Sequence, residues 1–170
     1  MLLHWSRAIA HIWGLECSLT QLDGEYDLNF MVVTPTQQFV FKVMRPGCEQ
    51  AFVDMQCLSM GHLHQQSESN QVPVPQVIAT LEGHNFTVYQ DPQGESRMVW
   101  LLSKFEGLSY AHFQPKPGAL MHQLGGYMGL MSSQLESFHH AYLKRDFKWN
   151  LLQAGWINNE LECIEDPARK

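Results

Sequence analysis

The run Gln38-Phe39-Val40-Phe41-Lys42-Val43-Met44 sets one lysine inside an apolar, β-branched and aromatic stretch. That composition reads as a strand packed into a core. A charge drawn into such a strand costs free energy unless a partner or ligand compensates it. Either Lys42 looks out of an otherwise packed sheet, or the sheet holds it there for use. Its neighbours in sequence narrow the choice.

Residues 1–13 form a short amphipathic pattern that ends near Gly14. Two strand-like segments follow, "CSLTQL" and "LNFMVVT", joined by the turn-forming "DGEYD". Thr34-Pro35-Thr36 supplies the next turn, "QFVFKVM" is the third strand, and Arg45-Pro46-Gly47 stops it. Short connections of this kind predict an antiparallel meander. From Cys48 to about Gln65 the spacing of Phe52, Met55, Leu58 and Leu63 is helical. The polar tract "QQSESNQ" reads as a loop, and the prolines of "VPVPQVI" suit an edge or a rigid approach to a strand. "NFTVYQ" and "RMVWLLSKF" are strands around an Asp91-Pro92-Gln93-Gly94 turn. The reading is an α+β lobe over 1–105, with a five-stranded antiparallel sheet and one inserted helix. A Gly/Pro-rich linker covers 106–118. The apolar series Leu120, Leu124, Met128, Met131, Leu135, Phe138 and Tyr142 then predicts a long amphipathic helix in a helical part over 119–170. "WNLLQAGWINNELECIED" is also read as helical.

Composition excludes several classes. At 45% hydrophobic and 16% charged residues, 170 residues support a folded core. A net charge of −6 with no basic run argues against a nucleic-acid partner. No segment reaches the ~18 apolar residues of a membrane helix, and His4, Arg7 and His11 interrupt the N-terminus, so neither membrane nor signal peptide is expected. Cys17, Cys48, Cys57 and Cys163 are scattered and suit a reducing, cytoplasmic compartment. The histidines, including His62, His64, His139 and His140, show no HExxH spacing, and no metal site is expected from them.

In order, "DGEYDLNFMVV", "QFVFKVMRPG", "FVDMQCLSMGHL", "VPVPQVI", "VWLLSKFEG" and "RDFKWNL" resemble the aminoglycoside phosphotransferase family. More narrowly they are similar to its hydroxylysine-kinase-like branch, whose members sometimes occur fused to class III aminotransferases. The resemblance runs from about Thr20 to Leu152 and implies a protein-kinase-like N-lobe followed by the first helices of an incomplete C-lobe. It implies ATP and Mg2+ as cofactors and a hydroxyl acceptor on a small, amine-bearing metabolite. Under it, Lys42 matches the strand lysine that contacts the α- and β-phosphates. Asp54, or in second place Glu49, matches the helix acid that orients such a lysine; Asp54 lies one turn before Leu58 on one helix face. Gly24, Glu25 and Tyr26 stand in the phosphate-covering loop, although the loop carries one glycine rather than GxGxxG. Ser103, Lys104 and Phe105 match the hinge whose backbone meets adenine, with Val40, Ile78 and Leu102 as apolar walls. Asn29 matches a polar position of the branch to which no chemical role attaches; a turn cap is its simplest use.

The H-x-D-x-x-x-x-N element of the family is absent from the sequence. "KRDFKWN" imitates it, but Asp146 stands four residues before Asn150 and has no histidine two before it. Arg145 and Lys148 read as a polar junction. The expectation is therefore the ATP-binding part of a phosphotransferase, without catalytic residues of its own and inactive alone. The rival is a non-catalytic kinase-derived module that forms a homodimer through its exposed helical stripe. An unrelated α+β binding domain is the third reading.

Overall fold

The structure, a computed structural model, describes residues 1–65, 72–145, 150–166 and 168. Asp146, Lys148 and nearly all of the "QQSESNQ" tract lie outside them. Two units are distinguished, Met1–Phe138 and His139–Lys170.

The first unit is built on a six-stranded sheet. Its strands are β1 (Ser18–Leu22), β2 (Leu28–Val33), β3 (Gln38–Val43), β4 (Val77–Ile78), β5 (Thr87–Gln90) and β6 (Ser96–Ser103). The first three form the expected antiparallel meander, and β3 then pairs with β6. The other side of β6 is shared by β5 and β4, all antiparallel. The sixth strand is the two-residue β4, which emerges from the "VPVPQVI" segment and lies at the sheet edge. Proline rigidity accounts for its brevity, because each proline removes a ladder donor.

Helix α1 (Leu2–Trp13) covers one face of the sheet. Trp5, Ala8, Ile9, Ile12 and Trp13 are buried at i, i+3, i+4, i+7 and i+8, one stripe of a 3.6-residue period. Gly14 ends the helix at φ 68°, a left-handed cap that a glycine adopts without penalty. The stripe packs on Phe30, Val32, Phe39, Phe41, Val43, Val99 and Leu101. Trp13 Nε1 donates to Ile78 O at 2.9 Å, which ties α1 to the edge strand.

The opposite face carries α2 (Gln50–His64). Here Val53 and Cys57 meet Met44, Met98, Trp100 and Leu102. β6 is thus buried on both sides, which explains its unbroken "MVWLL" run.

One buried ion pair locks the strand ends. Arg97 and Asp91 are 8% and 6% exposed, with Nη1 and Oδ2 at 3.1 Å. Arg97 Nε also donates to Met44 O at 2.6 Å, joining the end of β3 to β6. Asp91 Oδ1 accepts the backbone N–H groups of Gln93 and Glu95, closing the predicted turn at Gly94.

Helix α3 (Gly118–Leu135) is shorter than the apolar series suggested. It reaches α2 at its C-terminal end, where His62 Nε2 lies 2.9 Å from Gln134 O and the His62 and Phe138 rings are 5.6 Å apart. Met121, Leu124, Tyr127 and Met128 remain 38–57% exposed. In the second unit, 3-10 segments span Ala141–Lys144 and Leu151–Cys163, so the "NLLQAGW" region is helical but not α-helical.

Two predictions follow from this packing. Burial pushes the Asp91 carboxyl up, but the N–H groups of Glu95 and Gln93 and the Arg97 guanidinium more than reverse it and hold it below the ordinary value. Its stabilising contribution is full above the unfolded carboxylate value of about 3.9 and is lost as pH falls through the lowered folded value. Asp91→Asn should lower Tm at neutral pH and flatten the fall of Tm with acidification; an unchanged acid limb in calorimetry would refute the assignment. Second, burial, aided by the Asp54 charge, pushes the Cys57 thiol up to about 12, whereas Cys163 is exposed. Ellman's reagent at pH 8 should label Cys163 within seconds to minutes and Cys57 only on denaturation.

Candidate functional site

Strand alternation decides where Lys42 points. Phe39, Phe41 and Val43 enter the α1 core, so Val40 and Lys42 belong to the face covered by α2. The side chain is half-buried. Its ammonium lies 6.0 Å from the Trp100 ring centroid, Trp100 being its cross-strand partner on β6. On its other side the partner is Asn29 of β2. Lys42 Nζ donates to Asn29 Oδ1 at 2.9 Å.

The same amide reaches the loop that joins β1 and β2. Asn29 Nδ2 donates to Asp23 O at 3.4 Å and Asp27 O at 3.3 Å. A Cβ at Gly24 would collide with Asp27 O and with Asn29 Nδ2, so the single glycine of the loop is where the amide needs room. The loop is also fastened to the end of β3: Asp27 Oδ1 accepts the Arg45 backbone N–H at 2.8 Å and lies 3.9 Å from its guanidinium. Arg45 sits between the Tyr26 and Phe52 rings, at 5.8 and 5.9 Å. Gly24, Glu25 and Tyr26 are exposed at the loop tip, and a hydrogen bond from Tyr26 to the Glu25 carboxylate pushes the phenol's ionisation above its ordinary value.

The structure brings Lys42 and the Gly24 loop together through Asn29. Among the described residues no ion pair joins Lys42 to Asp54 or Glu49. Asp54 lines a separate concavity of about 560 Å³ with Gln50, His84 and Phe86. Asp54 itself is half-buried, Leu58 one turn on is 44% exposed, and α2 buries Val53 and Cys57.

At the end of β6 the hinge candidates divide. Ser103 N–H donates to Gln76 O and Ser103 Oγ accepts Gln76 N–H, both at 2.8 Å, so its backbone donor is spent on the β4 approach. Lys104 and Phe105 follow beyond the ladder. Ser103 and Lys104 line a concavity of about 500 Å³ with Thr34, Gln38, Gln76 and Glu106, and Lys42 is not among its walls. Leu102 and Val40 border Trp100 in the α2-side core, whereas Ile78 packs on the α1 side. Ile78 is therefore not positioned with the other two as a wall.

Sequence reasoning missed Arg45, read only as a strand stop, and left Asn29 without a role. The signal for Asn29 was present in the hairpin: a turn closing between Thr34 and Gln37 sets the register that places Asn29 opposite Lys42. Among the described residues no group of three or more His, Cys, Asp or Glu side chains converges to hold a metal ion. None of the helices among them is long and apolar enough to cross a membrane.

No family model and no curated protein matches the chain. Solved structures do. A microcompartment-associated aminopropanol kinase matches 88% of this chain at TM-score 0.67 and 16% identity. Amicoumacin kinase in complex with AMP-PNP and Ca2+ matches 92% at TM-score 0.67 and 14% identity. Spectinomycin phosphotransferase in complex with ADP and spectinomycin, an aminoglycoside-phosphotransferase structure, matches 96% at TM-score 0.58 and 12% identity. The chain spans 45%, 47% and 54% of those three chains. At such identities the likeness is one of architecture: this chain has the kinase-like α+β fold of small-molecule phosphotransferases of the aminoglycoside-phosphotransferase type, over about half of their length.

Proposed function

We propose that this chain is the nucleotide-binding part of a phosphotransferase that modifies a hydroxyl of a small, amine-bearing metabolite. The observation that carries this reading is Lys42, a half-buried cation held between Asn29 and Trp100 beside the Gly24 loop, in a fold shared with kinases solved with AMP-PNP and ADP. A triphosphate needs a fixed cation, and a lysine in a paired central strand loses less side-chain entropy on contact than one in a loop. Lys42 would meet the α- and β-phosphates of ATP, and Gly24, Glu25 and Tyr26 would close over them. Backbone groups of Lys104 and Phe105 would meet the base, the Ser103 N–H being spent on Gln76.

The donor set fits phosphate oxygens and does not fit a metal by itself. Mg2+ is therefore assigned to the nucleotide and to residues of a complete enzyme, where it would neutralise phosphate charge. The sequence also lacks H-x-D-x-x-x-x-N, so we assign nucleotide holding to this chain and phosphoryl transfer to an enzyme that includes a counterpart of the neighbours' other half.

Mg-ATP should raise the Tm of the chain in a saturable way. Lys42→Ala should weaken ATP by roughly tenfold to a hundredfold, the range of a lost charge-assisted contact, and adenosine hardly at all. No ATP-dependent shift, or a shift indifferent to Lys42→Ala, would refute the reading. A second reading, self-association, has one favouring observation: Met121, Leu124, Tyr127 and Met128 share an exposed face of α3. Sedimentation at rising concentration should show a dimer that Leu124→Glu dissolves if that face is an interface, and a monomer throughout if it is not.

A further inference from the structure

We propose that Asn29 is the positioning residue of Lys42, holding its ammonium from the neighbouring strand. The inference deepens the phosphate-holding reading and rests on it for its functional meaning.

Three observations support it. The amide orientation is fixed by its surroundings: Nδ2 faces two backbone carbonyls, of Asp23 and Asp27, and Oδ1 faces an ammonium. The flipped amide would set donor against donor and acceptor against acceptor. Next, the contact is dictated by register, since Asn29 is paired with Leu22 on one side and with Lys42 on the other. Directly opposed residues bring their Cβ atoms within about 5 Å. Finally, Gly24 is shaped to the amide, because any side chain there would strike Asn29 Nδ2 and Asp27 O.

The chemistry differs from that of an acid. An amide oxygen accepts one ammonium proton and leaves two for phosphate oxygens. It adds no negative charge, so Lys42 keeps its full attraction for an anion. The amide also makes the lysine and the loop one unit: whatever orders Asp23–Asp27 orders Asn29, and with it Lys42.

The test compares the intact chain with Asn29→Ala, Asn29→Asp, Asp54→Asn and Lys42→Ala, each checked for fold by circular dichroism. Acylation of Lys42 by an N-hydroxysuccinimide ester is followed by mass spectrometry without nucleotide, with Lys116 as internal standard. An acceptor on the ammonium protects it, so Asn29→Ala should speed Lys42 labelling about fivefold, the equivalent of one net hydrogen bond. Asn29→Asp, whose carboxylate holds the proton harder, should slow it. Asp54→Asn should leave it unchanged. General loosening would speed both Asn29 variants alike, and that result would overturn the proposal, as would acceleration by Asp54→Asn equal to that by Asn29→Ala. Calorimetry with ATP and adenosine separates the two claims. Asn29→Ala should weaken ATP about fivefold and spare adenosine. If Lys42→Ala leaves ATP affinity unchanged, the phosphate reading fails, while the labelling order still decides whether Asn29 positions Lys42.

Discussion

The arrangement depends on β3 being packed on both faces. Phe39, Phe41 and Val43 are consumed by the α1 core, and Val40 packs on the α2-side cluster together with Met44 just past the strand. A strand so enclosed cannot shift by one residue without driving Lys42 into the place of Phe41 against Trp5 and Phe30. Register is therefore held by apolar burial, and the position of the cation is inherited from it. Arg97 reinforces the same register from the strand end, donating to Met44 O while Asp91 neutralises it. Breaking such a buried pair leaves a charge without compensation, which makes this corner intolerant of single changes.

From that register the loop follows. Asn29 must lie opposite Lys42, and its two amide hydrogens must find acceptors nearby because the group is half-buried. The chain supplies them by turning Asp23 and Asp27 back over β2, a path that Gly24 alone permits. Asp27 then fastens the loop to Arg45 through backbone and guanidinium together. A loop with one glycine can approach the lysine closely because a side-chain amide, rather than a series of glycines, shapes it.

Much of this was legible in the residues, for reasons that can be named. The α1 stripe was readable because five buried positions repeat at helical spacing and end on a glycine with positive φ. The Asp91–Gly94 turn was readable from turn chemistry, although nothing local showed that its aspartate would be buried against Arg97. That the lysine would sit in a packed strand was readable from its apolar setting. Its partner was not, because partnership across strands is a long-range property that depends on register, and the helix was searched for an acid instead. The exposure of Leu58 marks a limit of the helical reading: α2 has weak amphipathicity, and its periodicity alone did not reveal that Val53 and Cys57 face the sheet. Likewise the apolar series through Tyr142 did not reveal that α3 ends at Leu135 and buries Gln134 rather than its methionines.

The source of the lysine's partner has a mechanical consequence. When a helix supplies the acid, the lysine's geometry depends on where that helix sits. Here α2 is linked through His62 to Gln134 and lies beside Phe138, so displacement of the end of α3 would be felt by α2. Among the described residues the contacts of Lys42, Asn29 and Trp100, come from strands that flank it in the same sheet, and Trp100 is itself packed against Val53 and Cys57 of α2. Packed sheets deform less readily than helices slide. The geometry of the cation is thus set jointly by the Asp23–Asp27 loop that holds Asn29 and by the α2 residues that back Trp100.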